Sequence, residues 1–183
     1  MVLVLLCKGF EEAEVAIPVD LLRRGGVEVA LCGVETPQVV SAHDITFGTD
    51  VMLSDVELDK VDMVFVPGGL GGVNGLLASE AACACLKKAK EMGKYLAAIC
   101  AGPTVLSRLG LIDGCKATCY PGMEDLLLPA IPQIGAKAVY DEQAKLLTGQ
   151  AAGAGFDLGL LMLTVLKDAA TAQQVGKAVH YND

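Results

Sequence analysis

The sequence predicts a doubly wound α/β sandwich, with helices on both faces of a mostly parallel sheet. Three observations carry this prediction. Short apolar runs alternate with segments of helix length along the 183 residues. The runs are continuously apolar, as strands buried on both faces must be. Turns rich in glycine and small residues follow three of the runs, at Lys8-Gly9, Pro67-Gly68-Gly69 and Cys100-Ala101-Gly102. Strands and helices in this alternation pack as layers on a parallel sheet, with ligands beyond the carboxyl ends of the strands.

The strands fall near residues 2–7, 27–32, 62–66, 95–99 and 145–148, with further ones near 45–53, 115–119 and 136–140. The first helix runs from about Glu11 to Arg24. Acidic Glu11, Glu12 and Glu14 suit its first turns and Arg23 and Arg24 its last, and Gly25-Gly26 stop it. Pro18 costs that helix least if it lies near the first turn, which leaves the start open. Ser79 caps a helix over Glu80–Met92 that Gly93 ends. Another helix follows Cys100, an apolar one covers Phe156–Lys167, and 171–180 reads as a surface helix. No repeat, linker or low-complexity stretch interrupts the pattern, so one domain over 1–183 is expected.

Composition narrows the function. With 53% hydrophobic and 20% charged residues the chain is globular, and with 4% aromatics its core must be built from aliphatic side chains and Met. A net charge of -8 repels a phosphate backbone, and the clusters Arg23-Arg24 and Lys87-Lys88-Ala89-Lys90 read as solvated helix ends, so no nucleic-acid partner is expected. The opening apolar run stops at Lys8 without a basic flank or cleavage site, and no run approaches the ~18 residues of a membrane span. Seven cysteines, an odd count set mostly in apolar runs, suit reduced thiols in a cytoplasm.

The sharpest chemical feature is Cys100, at the point where the strand ending in Ile99 meets the small residues Ala101 and Gly102. A tight strand-to-helix elbow needs small neighbours, and a helix N-terminus there favours a thiolate over the free-Cys pKa of about 8.5. From these residues alone an inert buried cysteine fits equally well. Gly68-Gly69 could present N–H groups to a developing oxyanion, or could form a plain turn, and it lacks the Lys-Ser/Thr of a phosphate loop. Glu14 alone reads as an acid complementing the helix dipole, and Gly149–Gly155 as a flexible loop after a strand. No metal is expected. Cys83 and Cys85 point to different sides of a helix, Cys115 and Cys119 would lie about 13 Å apart on a strand, and His43 and His180 join no ligand pair.

Taken together, these segments resemble the DJ-1/ThiJ/PfpI superfamily, and within it the DJ-1 and YajL-like branch. The resemblance rests on Lys8-Gly-Phe-Glu-Glu-Ala-Glu14, Ile17-Pro-Val-Asp-Leu-Leu-Arg-Arg-Gly25, Val66-Pro-Gly-Gly69, Ala97-Ala-Ile-Cys-Ala-Gly-Pro103, Lys145-Leu-Leu-Thr148 and Phe156-Asp157, and it covers almost the whole chain. It implies a flavodoxin-like fold and a homodimer. It makes Cys100 the reactive cysteine and Glu14 the protonated acid that hydrogen-bonds it. Gly69 and Ala101 become the oxyanion donors, and Gly68, Tyr120, His43 and Arg24 candidate pocket residues.

The departures are specific. Tyr120 stands where the DJ-1 branch often carries a His, His43 where it has a pocket Arg, and Ala151-Ala152-Gly153 where it has Gly-Pro-Gly. The protease branch places a His directly after the nucleophile, and Ala101 here leaves no Cys–His pair, so proteolysis is not expected. Two functions then follow from the resemblance. One is a cofactor-independent glyoxalase III or deglycase acting on small dicarbonyls or aldehydes through Cys100, with Glu14 as proton shuttle. The other is a redox-responsive protective protein in which Cys100 is oxidised to a sulfinate.

Overall fold

The computed structural model describes residues 1–181. The strands are β1 (Val2–Leu6), β2 (Val29–Gly33), β3 (Gln38–Val40), β4 (Thr46–Gly48), β5 (Val51–Met52), β6 (Met63–Val66), β7 (Tyr95–Ile99), β8 (Lys116–Ala117), β9 (Ile131–Pro132), β10 (Ala138–Asp141) and β11 (Leu146–Gly149). The helices are α1 (Glu12–Arg24), α2 (Leu70–Ala78), α3 (Glu80–Glu91), α4 (Gly102–Arg108), α5 (Gly155–Leu166) and α6 (Ala169–Ala178). Seven strands form the central sheet in the order β10-β11-β7-β6-β1-β2-β5. Every pairing in it is parallel except that of β10 with β11.

The apolar runs behave as predicted because each faces two cores. On β1, Leu3 and Leu5 join one cluster with residues of α2, α3 and α4, while Val2, Val4 and Leu6 join a second with residues of α1, α5 and α6. On β7, Leu96 and Ala98 face the first cluster, Ala97 and Ile99 the second. Alternate side chains leave a strand on opposite sides, so a strand between two helix layers has no polar position to spare. The chain moves from β1 to β2 on one side and returns to β6 on the other, so the winding reverses at β1. The carboxyl ends of β1, β6 and β7 therefore open side by side at the crevice where such folds bind ligands.

Several boundaries differ from the sequence reading for identifiable reasons. Pro18 lies in the interior of α1, not near its start, and is buried. The segment 45–53 is two strands. Thr49 N–H donates to Pro37 O at 3.0 Å and Asp50 N–H to Leu31 O at 2.8 Å, so the chain changes partner between the β3–β4 hairpin and the sheet edge. Val27 N–H still closes the end of α1 through Leu22 O, which delays β2 to Val29. Only Lys116 and Ala117 of the 115–119 segment pair, in a small separate sheet with β9. Ser79 caps α3 as expected, accepting from Ala82 N–H at 3.2 Å.

The largest omission is α2, hidden by its glycines. A Cβ at Gly72 would lie 2.9 Å from Phe10 Cα, and one at Gly75 2.9 Å from Cys7 Cβ. Residues that weaken a helix by propensity are here what lets it lie against the loop after β1.

Candidate functional site

Cys100 follows β7 with φ 61, in the left-handed region that non-glycine residues rarely adopt. Such a conformation costs on the order of 1–3 kcal/mol and persists only where the surroundings impose it. Here two backbone hydrogen bonds do so. Cys100 N–H donates to Gly149 O at the end of β11 (3.0 Å), and Cys100 O accepts from Tyr120 N–H (2.9 Å). The thiol is half-buried, and α4 begins two residues later.

Glu14 reaches the same point from α1. It is 1% exposed, and its Oε2 accepts a hydrogen bond from Gly68 N–H at 2.8 Å. Gly68 has no room for a side chain, since an added Cβ would run into Glu14 Oε2 and sit 2.7 Å from Cys100 Cβ. The loop after β6 thus presses Glu14 and Cys100 together.

The electrostatics correct one expectation. The elbow alone predicts a depressed Cys100 pKa, but burial first, and then the Glu14 carboxylate, push the thiol up to about 12. The backbone N–H groups of Ala101 and Gly69 pull the other way by hydrogen-bonding the sulfur, as the oxyanion reading of these residues expects. Burial raises Glu14 to about 7, helped by the charge of Glu11 and opposed by hydrogen bonds from Cys100 and Gly68. One proton between a buried carboxyl and a thiol in contact can sit on either. While it sits on sulfur, the carboxylate holds the thiol neutral. Once it moves to Glu14, the repulsion disappears and the carboxyl becomes a donor to sulfur.

Around the pair lies a cavity of about 450 Å³. It is lined by Glu11, Glu14, Gly69, Leu70, Cys100, Ala101 and the Tyr120–Met123 loop. A slightly larger cavity, about 490 Å³, is lined by Met1, Glu28, Asp62 and Lys167 beside the amino-terminal end of β1, and contains no thiol. The chemistry lies in the smaller one. Cys7, Cys32, Cys85 and Cys119 are also raised, to between about 11 and about 12, with burial the largest cause. Glu35 acts on Cys7 and Glu124 on Cys119 through charge alone, and none of the four thiols shares a hydrogen bond with an acid as Cys100 does with Glu14.

The structure therefore brings together Cys100, Glu14, Gly68, Gly69, Ala101 and Tyr120. It separates two other candidates from them. Arg24 stands at the last position of α1, bonded to Asp20 at 2.7 Å and half exposed, and does not line the cavity. His43 is 70% exposed, with Nδ1 2.8 Å from Glu12 Oε1 and 3.8 Å from Glu11 Oε1. This corrects the reading that His43 joins no ligand group, because its ligand atom and those of Glu11 and Glu12 lie within 4.8 Å of one another. The 149–155 segment, expected as a loop, is the end of β11 (Gly149), a 3-10 turn (Ala152–Ala154) and the start of α5 (Gly155); none of it lines the cavity, and its contribution is Gly149 O, which accepts from Cys100 N–H. Sequence reasoning missed Glu11, Leu70, Pro121, Gly122 and Met123 as cavity residues. Glu11 carries the only legible signal among them, as one of three acids opening α1.

Residues 1–165 match the family model described as the DJ-1/PfpI family. The protein dj-1beta of Drosophila melanogaster is 34% identical over 183 residues, covering 98% of this chain and 97% of that protein. Its crystal structure superposes with a TM-score of 0.94 at 33% identity, covering 100% of this chain and 98% of that one. A Pyrococcus abyssi protein named a deglycase is 31% identical over 141 residues, 76% of this chain and 84% of that protein. A Toxoplasma gondii DJ-1 structure titled as oxidized gives a TM-score of 0.91 at 31% identity, covering 100% of this chain and 98% of that one.

Proposed function

The chain belongs to the DJ-1/PfpI family, and from that premise we propose that it consumes small dicarbonyls in the manner of a glyoxalase III or deglycase, with Cys100 as nucleophile. The observation that carries the reading is the contact pair itself: a thiol on a strained elbow beside a buried acid whose pKa is raised to about 7. An acid–base group works best when its pKa lies near the working pH. The name deglycase on the Pyrococcus abyssi relative points the same way.

With methylglyoxal, Cys100 passes its proton to Glu14 as sulfur attacks the aldehyde carbon. The carbonyl electron pair moves to oxygen, held by the Gly69 and Ala101 N–H groups, and Glu14 returns the proton there to complete the hemithioacetal. Glu14 then takes the hydrogen of the first carbon as a proton and delivers it to the second. The hydroxyl proton of the first oxygen passes to the second oxygen, so the first carbon is oxidised and the second reduced, giving a lactoyl thioester. Water cleaves the carbon–sulfur bond, releasing lactate and restoring the thiol. The proposal includes a homodimer in a reducing cytoplasm, where the seven free cysteines stay unpaired. Lactate formation from methylglyoxal by the purified protein, lost in Cys100→Ser, tests it. Undiminished lactate formation by Cys100→Ser would sink it.

A second reading has its own support: the N–H groups of Ala101 and Gly69 at the sulfur, with Glu14 beside it, suit a Cys100 sulfinate. Two equivalents of peroxide would each transfer one oxygen to sulfur, and the hydrogen bonds would slow a third. Mass spectrometry should find two added oxygens on the Cys100 peptide. Scrambled disulfides would argue against it.

A further inference from the structure

The cavity at Cys100 is charged with one sign only. Its lining includes two carboxyl residues, Glu11 and Glu14, and no Lys, Arg or His. The remaining wall is largely apolar, from Leu70, Tyr120, Pro121 and Met123. His43 and Arg24 do not line it, although His43 lies within ion-pair distance of Glu11. The His43 ring sits closer to Glu12 (2.8 Å) than to Glu11 (3.8 Å), and Arg24 pairs with Asp20.

Glu11 is built into this wall. Its backbone N–H donates to Gly68 O at 3.1 Å, which ties it to the loop that also positions Glu14. It occupies the N-cap position of α1, yet its side chain makes no capping hydrogen bond. The carboxylate is thus not used to finish the helix, and Glu11, with 23% side-chain exposure, is one of the residues that line the cavity. Its charge is felt at the reaction centre, being one of the causes that raise Glu14. Above about pH 7, where Glu14 has released its proton and the thiol has not, the Glu14–Cys100 pair keeps one negative charge of its own. An incoming molecule therefore meets two negative charges between apolar walls, where fields are screened less than in water.

We propose that Glu11 is the specificity-determining residue of this pocket, admitting neutral or positively charged carbonyl compounds and turning away anionic ones such as 2-oxo acids and phosphorylated aldehydes. This inference rests on the dicarbonyl reading above and adds its substrate class. It also gives the field a use at the end of the cycle. A neutral dicarbonyl enters, a hydroxy-carboxylate is formed, and the same charges expel it. Product inhibition by lactate is accordingly weak.

The test compares two alkylating reagents of nearly equal size, neutral iodoacetamide and anionic iodoacetate, by their rates at Cys100 in the intact protein, read by peptide mapping. Their rate ratio with a small free thiol sets the reference. A charge at the distance of the cavity wall, in a partly screened site, is worth on the order of tenfold in rate. The ratio at Cys100 should exceed the reference by about that factor. It should shrink in roughly 0.5 M salt, as a field effect must. Glu11→Gln should bring it to within about threefold of the reference, and Glu11→Lys below that. A wild-type ratio equal to that of the free thiol, or one that Glu11→Gln leaves unchanged, overturns the assignment. Comparison of kcat/KM for methylglyoxal and glyoxylate separates this inference from the reading beneath it. No turnover of either, with the alkylation ratio intact, removes the catalytic reading and leaves Glu11 as the charge filter. Efficient turnover of both, with a flat ratio, does the reverse.

Discussion

The backbone N–H of Gly68 donates to Oε2 of Glu14 at 2.8 Å, joining the loop after β6 to the first turn of α1 across 54 residues of sequence. This bond fixes which way the carboxyl faces, and so fixes its contact with Cys100. It also explains why position 68 carries no side chain. In Gly68→Ala the new methyl would press on Glu14 and on Cys100 Cβ, 2.7 Å away. The expected cost is ~1–3 kcal/mol of stability, with turnover falling by about 100-fold because the acid is displaced from the sulfur. Urea midpoints and lactate assays measure the two effects. Wild-type turnover in Gly68→Ala would mean that the Glu14 orientation is not set by this loop.

Cys100 should be alkylated ahead of the other six cysteines by limiting iodoacetamide near neutral pH, although its thiol is raised to about 12. The buried thiols Cys7, Cys32 and Cys85 are raised as well, without a hydrogen bond to an acid and with 8% exposure or less. Cys100 opens into a cavity and touches an acid that can accept its proton. Peptide mapping that finds Cys83 or Cys119 labelled first would remove the special status of the elbow.

How much of this was legible in the sequence follows from the range of the forces involved. Strands buried on both faces announce themselves as continuous apolar runs, and Gly26 and Gly93 announce helix ends through the positive φ they adopt. The elbow was legible for the same local reason, Cys100 followed by Ala101 and Gly102. α2 was not, because its glycines serve contacts with Gly9, Phe10 and Cys7 that no local pattern records. The shift in Cys100 was likewise hidden. The local helix N-terminus argues for a low pKa, and only the arrival of Glu14 from α1 reverses the balance. The Tyr120–Met123 wall comes from irregular chain, joined to the elbow by the bond from Tyr120 N–H to Cys100 O and packed on the core through Met123.

Replacing Glu14 separates hydrogen bonding from proton transfer. In Glu14→Gln the amide oxygen can still accept from Gly68 N–H while the amide nitrogen donates to sulfur, but no proton can be shuttled. Alkylation of Cys100 should persist and lactate formation fall by ~10²–10⁴-fold. Glu14→Leu strands the Gly68 N–H, at about 1–3 kcal/mol, and should weaken both. Near-normal lactate formation by Glu14→Gln would falsify the shuttle.

The last prediction concerns stability, where Glu14 should leave a signature of unusual sign. Its carboxyl is raised from 4.5 to about 7 in the folded protein, chiefly by burial. At pH below 4.5 it is protonated folded and unfolded alike, and its effect is neutral. As pH rises from about 4.5 to about 7, the unfolded chain releases this proton while the folded protein keeps it. The folded state then binds more protons, and stability must fall with rising pH. Across that window the loss amounts to about 3 kcal/mol, from 1.36 kcal/mol per pKa unit. Carboxyls held below their ordinary range, Asp141 and Asp168 among them, have the opposite slope and act at lower pH. They are common to both proteins, so subtracting the Glu14→Gln curve from the wild-type curve isolates Glu14. Urea unfolding at several pH values between 4 and 8 should show wild type losing stability relative to Glu14→Gln as pH rises, with most of the difference gained by pH 7. A pH-independent difference, or wild type gaining on the variant, would mean that the folded protein does not hold the Glu14 carboxyl above its ordinary range.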